Sequence, residues 1–458
     1  MQPQILTGHF ISFHIPLDHL FAIALKQMRC FFLLLAVALA GASPHAALPP
    51  EVAAAFHNIS MDGVVRIREG SAANVVAGAN FGHLDRRKFQ PIDETAQFPM
   101  GSNTKLHVAL ALYQLQERGK VNLSDSVATY LDASDFANFG VPALRRYCPT
   151  LNGSTACETV TFEQLLAMSA GLPGGPFINF LLPYPGSIGL AFGQTIALPL
   201  LFAPGSGFFY SNPSFILAAY FVEKFSGQSL SDYLAANVWG PAGMRTVSYD
   251  PYRQQLSGNP ARVDEGYKFV APPAPGAAPG APFAEGVCSF ELDDGQVNGA
   301  GGFVGTVEDE AKLYFQLFDF QRMGRPFLNN PASLLAMVRP RTQAPGTPRW
   351  FGQGVWVMKA ANESAWTKPY PPFIFYEGET LCSHTANFFD VSVDGAPLLT
   401  QAWKKAQVFF VDPAVYRAAV AAKEGNFFDV TAAWATPTPL HVAAWTAHNH
   451  YRPPPPGM

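Results

Sequence analysis

Phe98-Pro-Met-Gly-Ser-Asn-Thr-Lys105 places a serine three residues ahead of a lysine at the entrance to an amphipathic run. Three residues is close to one helical turn, so a helix starting here sets Ser102 and Lys105 on one face, with the amine able to reach the hydroxyl. Downstream, Leu106, Ala109, Leu110 and Tyr113 recur at helical spacing as far as Arg118, and Gly119 supplies the stop. The pattern predicts a buried helix over 106–118 with a serine on its first turn. A serine hydroxyl is a poor nucleophile at neutral pH and needs a base within hydrogen-bond reach, which Lys105 would supply. Spacing alone does not decide the matter, since about one Ser-x-x-Lys is expected by chance in a chain of this size. The competing reading makes Ser102 a helix cap and Lys105 a solvated charge.

The 458 residues allow two or three ordinary domains or one large two-part enzyme domain. With 48% apolar residues, the chain can build an ordinary globular core. A formal net charge of -4, with no basic run and no interleaved aromatic patch, argues against nucleic acid and against a polybasic membrane surface as partners. Lys26 and Arg29 precede Phe31 to Ala42, a short apolar core ending in the small residues Ala40 and Ala42. That pattern predicts a secretory signal over 1–42, too short to span a bilayer, with Met28 as an alternative start. The alternative is an uncleaved anchor or an apolar core helix. The expectation is a secreted protein, with no membrane attachment after cleavage.

Of the five cysteines, Cys30 leaves with the signal and Cys148, Cys157, Cys288 and Cys382 remain. An even number in an exported chain points to disulfides, with three pairings open. Cys148 with Cys157 is attractive because Pro149 to Ala156 reads as a small loop, and it would leave Cys288 for Cys382. Sequons at Asn58, Asn122, Asn152 and Asn362 fit glycosylated surface loops on a eukaryotic secretory route. No cysteine spacing resembles a zinc site, and His448 and His450 stand in a proline-rich tail. No metal is expected.

Gly63 to Arg68 and Asn74 to Gly78, separated by Glu69-Gly70, predict a β-hairpin. Thr161 reads as the N-cap of a helix ended by Gly171 and Pro173. The apolar, glycine- and proline-containing stretch 177–200 could cover a binding cleft. Ala203-Pro-Gly-Ser-Gly-Phe-Phe-Tyr210-Ser-Asn212 is a glycine-rich approach to a tyrosine and an asparagine, directly before an apolar helix over 215–225. Taken as structure alone, these two residues are a turn before that helix. Ala271 to Pro282 is a Pro/Gly-rich surface excursion. Gly299 to Asp309 is a tight turn leading through Thr306 into a helix over 308–320. Strand character returns over 352–358 and 373–378. The α/β layer is therefore split, with helices in its middle.

With these segments placed, the chain resembles the serine β-lactamase and penicillin-binding-protein superfamily, nearest its class C, esterase and D-alanyl-D-alanine peptidase branch. Family-like segments follow in order: Phe98 to Lys105, Glu117 to Val127, Phe162 to Pro173, Leu198 to Asn212, Val222 to Ser229, Gly240 to Met244 and Ala300 to Val304. The resemblance implies a mixed α/β (α+β) fold, an antiparallel sheet flanked by helices with an inserted all-helical domain, and an active site between them. On this reading 43–117 and 299–430 form the split α/β part, 118–298 the helical part with the loop 271–282, and 431–458 a tail. The resemblance makes Ser102 the acylated nucleophile, Lys105 its proton acceptor, Tyr210 a second acid/base group and Asn212 a substrate-positioning amide. Lysine near 10.4 and tyrosine near 10 each need a shifted pKa to act as a base, and beside one hydroxyl they would titrate as a unit, so the base is assigned to neither singly.

The family's third element is a strand carrying Lys or His, then Thr or Ser, then Gly. Its best match is His384-Thr385-Ala386, with His384 and Thr385 binding substrate. The amide of Asn387 would then join that of Ser102 in the oxyanion hole. Ala386 departs from the pattern: glycine there lets substrate lie against the strand, and a methyl group would crowd it. A Cys288 to Cys382 bridge would pin this strand. The expectation is a secreted serine hydrolase that needs no cofactor and acts on a small-molecule or peptide ester or amide. The alternatives are a fold-retaining binding or scaffold protein without turnover, for which Ala386 is the support, and an acyltransferase.

Overall fold

The structure is a computed structural model that describes residues 46–48, 50, 53–54, 63–85, 90–157, 159–173, 187–248, 268–271, 284–287, 299–319, 322–345, 349–358, 373–379, 383–390 and 397–404. It divides into two units, Met1–Pro44 and His45–Met458, and every described residue belongs to the second. The signal segment, Asn58, most of the Pro/Gly-rich loop, Cys288, Asn362, Cys382 and the tail lie outside the described residues.

Eight strands form the main sheet: β1 (Gly63–Glu69), β2 (Val75–Phe81), β3 (Thr342–Gln343), β4 (Arg349–Phe351), β5 (Trp356–Met358), β6 (Phe373–Glu379), β7 (Ser383–Asp390) and β8 (Pro397–Lys404). Their order is β3-β4-β5-β6-β7-β8-β1-β2, and every pairing is antiparallel. The N-terminal hairpin therefore closes onto the last described strand, Gly63 opposite Trp403 and Glu69 opposite Pro397. One sheet is built from the two ends of the described chain, and the helices come from the sequence between them. The strands Lys268–Ala271 and Ala284–Val287, on either side of residues 272–283 in the sequence, pair with each other.

Helix α1 (Thr104–Glu117) carries the Ser-x-x-Lys lysine. The helix is buried, as its pattern predicts, and beyond one face: every side chain from Thr104 to Leu115 is buried. The reason is that α1 is packed on more than one side: α3 (Asn212–Ser226) lies along it, and the turn before Val355 comes up against Ala109. A helix enclosed in this way is a core element. Leu106, Leu110, Leu112 and Leu115, each at most 1% exposed, contribute about 1.5–3 kcal/mol apiece by burial.

The other helices start where their caps are. In α2 (Phe162–Leu166), Thr161 and Gln164 form a capping box. In α3, Ser211 accepts the amide of Ser214, Pro213 sits in the first turn, and Gly227 ends the helix in the left-handed conformation. In α4 (Val307–Leu317), Thr306 accepts the amide of Asp309, and Glu308, Asp309 and Glu310 complement the helix dipole. This helix lies on the sheet: Phe315 and Phe318 meet Phe389 of β7, and Glu308 takes both Arg66 (3.4 Å) and Arg68 of β1. Arg66 and Arg68 are 1% and 0% exposed, so this pairing offsets the desolvation of two buried guanidinium groups.

Cys148 and Cys157 are joined in a disulfide that closes the small hairpin Thr150–Leu151 and Ser154–Thr155. Asn152, at its tip, is exposed, as is Asn122. Among the described residues, no helix is long and apolar enough to cross a membrane.

Candidate active site

Ser102 sits on a short 3-10 turn, Gly101–Asn103, wedged between the strand Phe98–Pro99 and the first residue of α1. Gly101 makes the turn with a φ of 53°, a left-handed conformation that costs a residue with a Cβ. The turn is clamped from one side by the segment after Gly299. Met100 N donates to Phe303 O at 2.9 Å, and Phe303 N donates to Thr104 Oγ1 at 3.3 Å. From the other side, Asn103 Nδ2 donates to Thr385 Oγ1 of β7 at 2.7 Å and to Met100 O at 3.1 Å, and Asn103 Oδ1 accepts from Asn387 Nδ2 at 2.9 Å. The Thr385 hydroxyl donates in turn to Met100 O at 3.0 Å. Asn103, Thr385 and Asn387 are at most 1% exposed, so this network is an internal brace for the turn that carries Ser102.

Lys105 is fully buried one helical turn on, with Nζ 3.0 Å from Ser102 Oγ and donating to Ala300 O at 2.6 Å. Burial holds its amine well below the ordinary lysine value. Tyr210 reaches the same point from the loop before α3: its hydroxyl is hydrogen-bonded to Ser102, and its ring lies 4.8 Å below Lys105 Nζ. That ring is stacked on Trp356 at 6.1 Å and set edge-on to Phe351 at 6.3 Å, so the phenol is rigidly held. Burial pushes the Tyr210 phenol up, opposed by its hydrogen bonds with Ser102 and Tyr376, and the charge of Glu377 adds to the rise. Asn212 is buried on the first turn of α3, two residues past Tyr210.

The third wall is not the strand expected from the sequence. His384, Thr385, Ala386 and Asn387 lie on β7, which is paired along both edges, with β6 and with β8. The amide of Asn387 is thus enclosed in the sheet and cannot line a cleft, Ala386 is 0% exposed, and the Thr385 and Asn387 side chains serve the brace under Asn103. The side chain of His384 lies outside the described residues. The strand that meets the nucleophile turn is β6. It pairs with β5 only over Phe373–Phe375, so among the described residues Tyr376–Glu379 has a strand on one side alone. Tyr376 brings its hydroxyl to 3.2 Å from that of Tyr210. At Gly378 a Cβ would lie 1.9 Å from Met100 O and 2.5 Å from Thr385 Oγ1, so only glycine lets β6 approach this closely.

Tyr376-Glu377-Gly378, rather than His384-Thr385-Ala386, is thus the stretch that meets the nucleophile turn, and it has the glycine that the other match lacks. The signal was in the sequence: a glycine two residues after a ring-bearing polar side chain, on the preceding strand. Glu377 is ion-paired with Arg349 at 3.0 Å. Among the described residues, no cluster of three or more His, Cys, Asp or Glu side chains could hold a metal ion.

Comparison with known proteins bears on the family and the fold. The family model described as Beta-lactamase matches residues 63–392. Penicillin-binding protein 4* of Bacillus subtilis is 26% identical over 217 residues, which are 46% of this chain and 42% of that protein. Esterase EstB of Burkholderia gladioli is 31% identical over 222 residues, 43% of this chain and 52% of that one. The chain spans less than half the length of the first curated relatives it matches. Among solved structures, the penicillin-binding protein of Bacillus halodurans has the same fold, with a TM-score of 0.57 at 20% identity, covering 82% of this chain and 99% of that one.

Proposed function

This chain belongs to the beta-lactamase family, and from that premise we propose that it is an exported serine hydrolase working through an acyl-enzyme on Ser102. The observation that carries the reading is the fully buried Lys105 amine 3.0 Å from the Ser102 hydroxyl. Desolvation favours the neutral amine at Lys105, whereas the same burial favours the protonated phenol at Tyr210. The two roles are thereby separated: Lys105 accepts and Tyr210 donates.

In acylation, Ser102 Oγ attacks the acyl carbonyl carbon as its proton passes to Lys105 Nζ. The bond to the leaving alcohol or amine then breaks as Tyr210 supplies the proton that group needs, and the Lys105 ammonium restores the Tyr210 proton. Water enters by the reverse sequence and releases the acid. The developing oxyanion is met by the Ser102 amide at the start of α1 and by the amide following Gly378, that of Glu379, on the open edge of β6. Asn212 positions the substrate.

Substrates in this reading are esters or amides with an apolar part, for which Phe208, Phe351 and Trp356 beside Tyr210 give an aromatic setting. Two relatives carry the names esterase and D-alanyl-D-alanine carboxypeptidase, which sets the range to search. Export rests on the apolar segment 31–42 and on the Cys148 to Cys157 disulfide, which suits an oxidising compartment. The test is turnover of short acyl p-nitrophenyl esters, D-amino-acid peptides and a chromogenic β-lactam by purified protein and by Ser102→Ala. Hydrolysis of at least one class by the wild-type chain alone supports the reading, and equal rates for the two proteins refute it. Mass spectrometry of the mature, unreduced protein checks export separately: an intact segment 1–42, or free thiols at Cys148 and Cys157, would count against it.

A further inference from the structure

Tyr210 has a single hydroxyl proton, and both Ser102 and Tyr376 are hydrogen-bonded to its hydroxyl. If that proton were spent on Tyr376, none would be aimed at the nucleophile and leaving group. We infer that Tyr376 is a positioning residue: its hydroxyl donates to the Tyr210 oxygen at 3.2 Å, so that the Tyr210 proton points toward the bond being broken. This rests on the acyl-enzyme reading above and extends it to a residue on the third wall.

Three features support the assignment. The Tyr376 side chain is 0% exposed on the open-edged part of β6, so its hydroxyl is closed to bulk solvent. Its ring stands edge-on to Phe351, at 6.1 Å, and Phe351 also stands edge-on to Tyr210, so one aromatic side chain fixes both phenols. Finally, Gly378, two residues on, lets this stretch of β6 lie against the nucleophile turn, since a Cβ there would fall 1.9 Å from Met100 O. When Tyr210 gives its proton to the leaving group, the transient phenolate is met by the Tyr376 hydroxyl until Lys105 returns the proton. No proton leaves Tyr376 at any step.

The effect must depend on how much the leaving group needs a proton. The experiment compares Tyr376→Phe, which removes only the hydroxyl, with the wild-type protein on two esters of one short acyl chain, the ethyl ester and the p-nitrophenyl ester. Ethoxide needs protonation to depart and p-nitrophenoxide does not. The expected result is a fall of about tenfold in kcat/KM, which reports acylation, on the ethyl ester, and a change of less than about threefold in kcat/KM on the p-nitrophenyl ester. Tyr376→His, which keeps a donor, should recover part of the ethyl ester rate. Equal losses on both esters, or no loss on the ethyl ester, overturn the inference while leaving a labelled, active Ser102 intact. Failure of the wild-type protein to take up a fluorophosphonate at Ser102 overturns both this inference and the reading beneath it.

Discussion

Lys105 Nζ stands 3.0 Å from Ser102 Oγ in a position closed to solvent, and the two consequences of that burial have opposite value to the protein. Catalytically it favours the neutral amine. The rate kcat/KM should therefore rise with pH as Lys105 loses its proton, on a limb well below the ordinary lysine value of 10.5. Both phenols are pushed above their ordinary value of 10.0, so no falling limb from them is expected below about pH 10. A profile measured from about pH 5 to about pH 10 checks this, and a bell closing near neutrality would contradict it.

The same shift costs stability. An unfolded chain binds a proton at Lys105 below 10.5, whereas the folded chain binds it only at lower pH. In the window between, the unfolded state holds more protons, so stability increases as pH rises toward 10.5 and is lost as pH falls. Lys105→Met, apolar and of similar length, should abolish acylation yet raise Tm at neutral pH by roughly 2 °C or more. A lower Tm for this variant would show that the buried amine is compensated more fully than its surroundings suggest.

The two strand assignments can be told apart by exchanging glycine and alanine. Gly378→Ala puts a methyl group 1.9 Å from Met100 O, forcing β6 away from the nucleophile turn. It should lower kcat at least about tenfold and cost about 1–3 kcal/mol. Ala386→Gly lies on the enclosed strand β7, and it should leave kcat within about twofold while costing about 0.5–1 kcal/mol. Steady-state kinetics with denaturant unfolding reads both, and faster turnover in Ala386→Gly would return the third wall to β7.

Thr385→Val keeps the shape but strips Asn103 Nδ2 and Met100 O of a partner, at a cost of about 1–3 kcal/mol. Because Thr385 acts through Asn103, kcat should fall with KM nearly constant, and Thr385→Ser should restore it. A raised KM with unchanged kcat would instead mark Thr385 as a substrate contact.

The disulfide closes a short loop, Cys148 to Cys157 being 9 residues apart, so its removal by Cys148→Ser with Cys157→Ser should cost about 2–3 kcal/mol. The hairpin is tied to the chain before Tyr210 by Leu200 N donating to Thr150 O at 2.7 Å. Thermal unfolding with and without reductant gives the measurement, and identical midpoints would remove the disulfide from the stability of the fold.

Sequence reading reached the parts of this site that are local. Ser102, Lys105, the caps at Thr161 and Thr306, and the short cysteine loop depend on residues within one or two turns of each other, and composition and spacing record them. The third wall depends on something else. Whether β6 or β7 faces the cleft follows from sheet order, which places β7 between two partners and leaves part of β6 open. The brace from Asn103 to Thr385 joins residues 282 apart, and the need for glycine at 378 comes from the Met100 carbonyl. The brace leaves no local trace and Gly378 only a weak one, a glycine two residues after Tyr376, so a Lys/His-Thr-Gly pattern drew attention to Thr385, where the hydroxyl serves the interior.

The most direct test of the account is covalent labelling of the folded protein with a fluorophosphonate, followed by intact-mass measurement and peptide mapping. The account predicts one adduct, on Ser102, absent from Ser102→Ala and formed at least about 100-fold more slowly in Lys105→Met. An unlabelled wild-type chain that is demonstrably folded, or an adduct that persists in Ser102→Ala, would contradict it.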